Sequence, residues 1–307
     1  MSSSFVRFEQ APVTIDFAGS GAGKECGLLA SNLTVGENTP LQAVRALGYN
    51  GAVAVAANGP IEGTFSITYN LVNTRETKGS AVCTGSKMEA DGNCDWVTSS
   101  TVMTYGSGKY ISLKVGTGDD LFSQGLANSL SVTAEPNSII TATLGGNYYD
   151  GGIQAASVTA GAGTAANGSL AVAHGAATSP STTGLGFSCD PFSANYEASR
   201  GFNPIYSLGS LDARFVMVTD PQQSITYQGE QIPAGGGSDV NCLDPTNASL
   251  TVNDQCGQEI TTLNVCGFIQ SRDIEIAEND VLRGNITIVD YTGLQQSLDG
   301  AECGSGT

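Results

Sequence analysis

The chain has 307 residues, room for two ordinary domains that each bury a core. Its 29 acidic side chains against 12 Lys and Arg give a net charge of −17. No Lys/Arg cluster offers the counterion-releasing patch that a nucleic-acid binder needs, so DNA binding by contact is excluded, whereas an acidic wall suits a surface that DNA slides past.

The opening, MSSSFVRFEQ, has no charged leader followed by an apolar core, so a chain without a secretory signal, soluble and made in the cytoplasm, is expected. No run approaches the roughly eighteen apolar residues of a membrane helix, and no membrane insertion is expected. Residues 13–17 alternate apolar and polar, and 28–35 form a second short apolar segment, both reading as half-buried strands. Between them GSGAGK at 19–24 suggests a phosphate loop, but Ala18 stands where that pattern needs Gly and Glu25 where it needs Ser or Thr. A Gly-rich turn is the better reading.

Residues 47–69, LGYNGAVAVAANGPIEGTFSITY, return in reduced form at 208–227, LGSLDARFVMVTDPQQSITY. Each copy sets a Pro twelve residues after the Gly of its Leu-Gly pair (Gly48 to Pro60, Gly209 to Pro221) and ends on Ser-Ile-Thr-Tyr. In the first copy Phe65, Ile67, Tyr69 and Leu71 take one strand face and Thr64, Ser66, Thr68 and Asn70 the other. Residues 73–108, which hold the only Trp, are expected to run over the surface as a long excursion or hairpin. Within them Asp91, Asn93 and Asp95 mimic the start of a calcium loop, yet Trp96 replaces its Gly and Val102 its bidentate Glu. Ile111, Leu113 and Val115 continue the strand pattern; residues 119–126, with Thr117 as a cap, are the one stretch that looks helical.

A second matched pair follows. Residues 125–151, GLANSLSVTAEPNSIITATLGGNYYDG, align without a gap on 267–293, GFIQSRDIEIAENDVLRGNITIVDYTG. Gly125/Gly267, Ser129/Ser271, Asn137/Asn279, Tyr149/Tyr291 and Gly151/Gly293 are identical. Two matched pairs in the same order predict an old tandem duplication. Between the halves, residues 152–184 are rich in Ala, Gly, Ser and Thr and read as a linker, or as flat strands that order in an assembly.

Candidate chemistry is thin. The single His, His174, lies in that linker, and no Gly-x-Ser-x-Gly elbow occurs, so a nucleophilic triad has no support. The eight cysteines contain no Cys-x-x-Cys pair, so neither metal nor cofactor is expected; Cys83 with Cys94, or two of Cys242, Cys256 and Cys266, are close enough to bridge, and buried thiols fit equally. Carboxylate pairs are unavoidable among 29 acids and carry no information.

The run at 38–69, NTPLQAVRALGYNGAVAVAANGPIEGTFSITY, with SVTAEPNSIITATLGGNYYDG at 131–151, resembles structural proteins of tailed-bacteriophage virions, most closely the tail tube (major tail) proteins. The resemblance covers 13–151 best and the second half through its reduced copy. It implies β-sandwich domains whose sheets join those of neighbours into a barrel lining a DNA channel. It also implies stacked rings of six domains, which three tandem-domain copies, or a hexamer, would close.

The expected fold is therefore all-β, with two tandem, duplicated β-sandwich domains and long loops. They span 1–151, with the excursion at 73–108, and 185–307, diverged, joined by the bridge at 152–184. The expected role is a non-enzymatic, self-assembling virion protein of the phage tail, built in the host cytoplasm, touching other tail proteins and passing DNA without specific binding. Phe65, Ile67, Tyr69, Ile225 and Tyr227 are the expected assembly or scaffold positions. The competing expectation is a surface-binding module (adhesin, capsid decoration or tail-fibre domain) that meets a receptor or glycan through 73–108.

Overall fold

The computed structural model describes residues 12–16, 26–57, 59, 61–71, 102–104, 111–116, 119–149, 171, 173, 178–181, 191–210, 212–230, 246–253, 259–275 and 283–291. Alternating apolar residues bounded by Gly and Asn turns make strands throughout. In the first half these are β1 (Val13–Asp16), β2 (Cys26–Asn38), β3 (Leu41–Val44), β4 (Ala54–Ala57), β5 (Glu62–Asn70), β6 (Val102–Thr104), β7 (Ile111–Val115), β8 (Phe122–Ala134) and β9 (Thr141–Tyr148). The second half supplies β10 (Thr178–Ser181), β11 (Ser193–Tyr206), β12 (Ala213–Glu230), β13 (Thr246–Asn253), β14 (Glu259–Glu275) and β15 (Arg283–Tyr291). No helix occurs among the described residues.

Six strands close on themselves in the order β1, β2, β5, β9, β8, β7 and back to β1, every neighbour antiparallel. Closure leaves side chains to fill the interior. Ile15, Phe65, Ile67, Tyr69, Leu113, Val132 and Leu144 do so. Phe122 stacks between Phe65 and Tyr148, with both centroid separations 4.8 Å, and the Tyr148 hydroxyl donates to the Gly36 carbonyl at 3.0 Å. This packing corrects the helix expected at 119–126. Phe122 pairs with Leu113 of β7 and Gly125 with Tyr148 of β9, so ladders on both edges override a local helical preference.

The second half repeats this order. Strands β10, β13, β14, β15, β12 and β11 lie side by side as β1, β7, β8, β9, β5 and β2 do, and they follow one another along the chain in the same sequence. Registers agree as well. Val132 faces Ala142 and Leu130 faces Leu144 in the β8–β9 hairpin; 142 residues later Ile274 faces Gly284 and Arg272 faces Ile286 in β14–β15. Each hairpin also has its irregularity at the same place, between Ala127 and Ser129 and between Ile269 and Ser271.

The Leu-Gly pairs mark a second equivalence. Beyond the barrel, β2 and β5 continue as the β3–β4 hairpin, and the outer parts of β11 and β12 form its counterpart. Leu41 faces Ala57 and Val44 faces Ala54 in the first arm; Phe202 faces Val218 and Ile205 faces Phe215 in the second, each residue 161 later. At the tips Tyr49 N–H donates to the Ala46 carbonyl at 3.4 Å and Ser210 N–H to that of Ser207 at 3.1 Å. Gly48 (φ 90°) and Gly209 (φ 84°) supply the left-handed backbone that each turn needs.

The two Ser-Ile-Thr-Tyr segments occupy corresponding strands but slip by two residues. Phe65 faces Gly146 in β9, and the equivalent of Gly146 in β15, Ile288, is faced by Ile225. Ile225 thus stands in the place of Phe65, and Tyr227 in that of Ile67. A slip of two keeps every side chain on its face, so burial tolerates it.

Strand β10 lies inside the stretch read as a linker and pairs with β13. Of 73–108 only β6 is described, and it pairs with β12. The Gly-rich turn at 19–24, the calcium-like Asp91, Asn93 and Asp95, and His174 fall outside the described residues. Cys266 is disulfide-bonded.

Candidate assembly interface

Two six-strand units in one chain must meet, and the meeting is made by β8. Near its start β8 pairs with β7 and helps close the barrel. Further along, the residues Ser129 to Ala134 pair with β11: Val132 faces Tyr196, Leu130 faces Ala198 and Ala134 faces Ala194. These apolar pairs are buried, so the core runs unbroken from one unit into the next. Asn195 bridges the same ladder, its Oδ1 accepting from the Thr133 hydroxyl at 2.9 Å while its Nδ2 donates to Glu197 at 2.8 Å.

The arm of the second unit then lies over the end of the first. Val216 and Ala213 of the arm pack with Leu126 and Tyr149 of the barrel, with Phe202 and Tyr206 against them. The Tyr206 hydroxyl donates to Glu62 at 3.0 Å. Burial pushes the Tyr206 phenol well above its ordinary range, and the hydrogen bond and the Glu62 charge push it the same way. Burial, then Glu62, does the same to Tyr149. Arg200 is buried beside them, its Nε donating to the Ala127 carbonyl at 2.8 Å and its guanidinium lying 5.3 Å from the Phe202 ring centroid.

The scaffold positions expected from sequence lie elsewhere. Phe65, Ile67, Tyr69, Ile225 and Tyr227 all point into the core. Tyr227 reaches across it, donating to the Ser249 carbonyl at 2.8 Å, and burial raises its phenol. These residues shape the strands without forming the junction. Sequence reasoning missed Leu126, Tyr149, Arg200, Tyr206 and Val216. The twelve-residue spacing after each Leu-Gly pair marks the return strand of both arms but not which arm is covered, so it does not single these residues out.

Each partner surface of the junction has an equivalent at the other end of the chain, and there it is exposed. Val216 is 0 % exposed, whereas its counterpart on the first arm, Val55, is 62 % exposed. Val132 is 0 % exposed and its counterpart Ile274 59 %. Tyr149 is buried and Tyr291 exposed. Leu41, Val44, Leu47, Tyr49 and Val53 of the first arm are exposed too, so most of the exposed large apolar side chains gather on these two surfaces. Among the described residues no strand lies along β2 on the side away from β5 beyond its short pairing with β1, or along β14 from Ser271 to Glu275 on the side away from β15.

Among the described residues no three His, Cys, Asp or Glu side chains gather as a metal site requires, and no helix is long and apolar enough to cross a membrane. The chain matches no known family model and no curated protein.

Proposed function

We propose that this chain is a structural virion protein of a tailed bacteriophage, assembling into rings that stack as a tail tube around a DNA channel. The observation that carries this reading is the pair of six-strand units joined edge to edge through β8 and β11, with the same two edges presented again at the ends of the chain. A unit that extends a sheet on both sides propagates, and rotation at each step closes the sheet into a ring. Two units per chain suit a pseudo-sixfold ring of three copies, each unit being the domain that the resemblance calls a sandwich. The net charge of −17 suits a lumen that DNA traverses without sticking. Other tail proteins would cap the tube, and the assembly site would be the host cytoplasm.

Electron microscopy of the purified chain tests this. Rings or tubes with threefold or pseudo-sixfold symmetry are expected. Isolated monomers that bind cells or glycans would instead establish the surface-binding module.

A further inference from the structure

We infer that successive copies join through a definite interface, in which β14 of one copy pairs with β2 of the next in the register of the internal β8–β11 junction. This rests on the self-assembly proposed above and specifies its contact. The internal ladder supplies the template: Val132 faces Tyr196 and Leu130 faces Ala198. The hairpin registers make Ile274 and Arg272 the equivalents of Val132 and Leu130. Likewise Val35, which faces Phe65, is the equivalent of Tyr196, which faces Ile225, and Glu37 that of Ala198. Between copies Ile274 therefore faces Val35, and Arg272 faces Glu37.

Two features support this pairing. The apolar pair covers Ile274 against Val35, which already packs on the core. At the next position inward on the same face, the Leu130–Ala198 pair becomes Arg272 opposite Glu37, side chains of opposite charge, both exposed in the single chain. Glu37 accepts from the neighbouring Thr39 hydroxyl at 3.4 Å, a long, solvent-exposed contact that leaves its carboxylate on this edge accessible to a second partner.

The arm completes the contact. In the internal junction the second arm lies on Leu126, Tyr149 and Glu62. Their equivalents in the second unit are Phe268, Tyr291 and Gln222, and the first arm of the next copy, carrying Leu41 and Val55, lies there. The partner is thus a second copy of this chain, bound head to tail. Sheet extension supplies the backbone ladder, the arm the apolar area, and the charge pair the register.

Charge reversal tests it on the full chain by sedimentation. Glu37→Arg alone and Arg272→Glu alone each place like charges together and should weaken association roughly a hundredfold or more. The double variant should restore assembly, and an equimolar mixture of the two single variants should form heterodimers that neither forms alone. Both side chains are exposed, so the contacts each already makes are solvent-screened and thermal midpoints should move by no more than about 2 °C; if either reversal disturbs folding, Glu37→Gln and Arg272→Gln replace it and should weaken association about tenfold. A wild-type chain that assembles while the single variants assemble equally well, or fail to complement, overturns this interface and leaves the tube standing. A wild-type chain that stays monomeric at every concentration overturns both.

Discussion

The equivalence of Val216 and Val55 allows one substitution to be made twice with opposite consequences. Val216 is 0 % exposed and sits among Leu126, Tyr149 and Ala213, where the second arm meets the barrel. Val216→Ala removes two buried carbons at about 0.8 kcal/mol each, and an incompletely collapsed cavity brings the loss to about 2–3 kcal/mol. For a chain of this size the thermal midpoint should fall by about 5 °C. Val55 holds the same place in the first arm but is 62 % exposed, so Val55→Ala should leave the dilute single chain within about 0.5 kcal/mol of wild type. Its effect should appear only in association, because the covering surface comes from another copy. Thermal unfolding followed by circular dichroism at low concentration, with sedimentation across a concentration series, separates the two. If Val216→Ala is harmless, or if Val55→Ala destabilises the dilute chain equally, the two arms are not equivalent and the internal template fails.

Other consequences follow from the packing. Gly63 faces Tyr148 across the β5–β9 ladder, and a Cβ there would enter the tyrosine ring; Gly63→Ala should cost about 2–3 kcal/mol in a denaturant titration, whereas Gly36→Ala, where a Cβ meets only Thr64 Oγ1 at 3.3 Å, should cost under about 1 kcal/mol. Tyr149, Tyr206 and Tyr227 have phenols raised in the folded chain. The unfolded chain therefore loses these protons first, so the tyrosines' contribution to stability should be fully present below about pH 10 and fall above it. A phenolate absorbance titration in which every tyrosine ionised before any unfolding would contradict this. Tyr206→Phe removes the hydrogen bond to Glu62 and should cost up to about 1 kcal/mol, measured by thermal unfolding at neutral pH. Cys266→Ser should lower stability by about 2–4 kcal/mol and weaken the response of the thermal midpoint to reductant.

Much of the strand content was legible because burial follows period two. The alternation of Phe65, Ile67, Tyr69 and Leu71 reads directly from the sequence, and all four are buried. Within the described strands the offset of 142 between 125–151 and 267–293 was legible, since even the irregularity after Ala127 recurs after Ile269. Three things were not. Residues 119–126 looked helical because Asp119, Asp120 and the apolar Leu121 and Phe122 mimic a capped first turn, and only the ladders to β7 and β9 decide otherwise. The Ser-Ile-Thr-Tyr identity pointed to a register two residues out, which a pattern of period two cannot detect. The junction itself was invisible, because Val216 and Val55 are the same residue type in the same spacing and differ only in what lies over them.

That last contrast bears on why equivalent edges of the two halves carry different side chains. Within a chain, β8 and β11 meet intramolecularly, so an apolar Leu130–Ala198 pair forms as the chain folds and needs no second molecule to cover it. An edge that must meet another molecule is different. It stands exposed until a partner arrives, and an apolar edge strand would pair with any other sheet. Arg272 at the place of Leu130, followed by Asp273, keeps such an edge soluble. On the proposed interface the same arginine also selects, since Glu37 stands opposite it while the Ala198 position of a wrong unit offers no carboxylate there. At Leu130 and Arg272 the two halves differ in the way that an internal and an external edge require. The shared turns, registers and arm lengths persist because both surfaces are reached by the same strands.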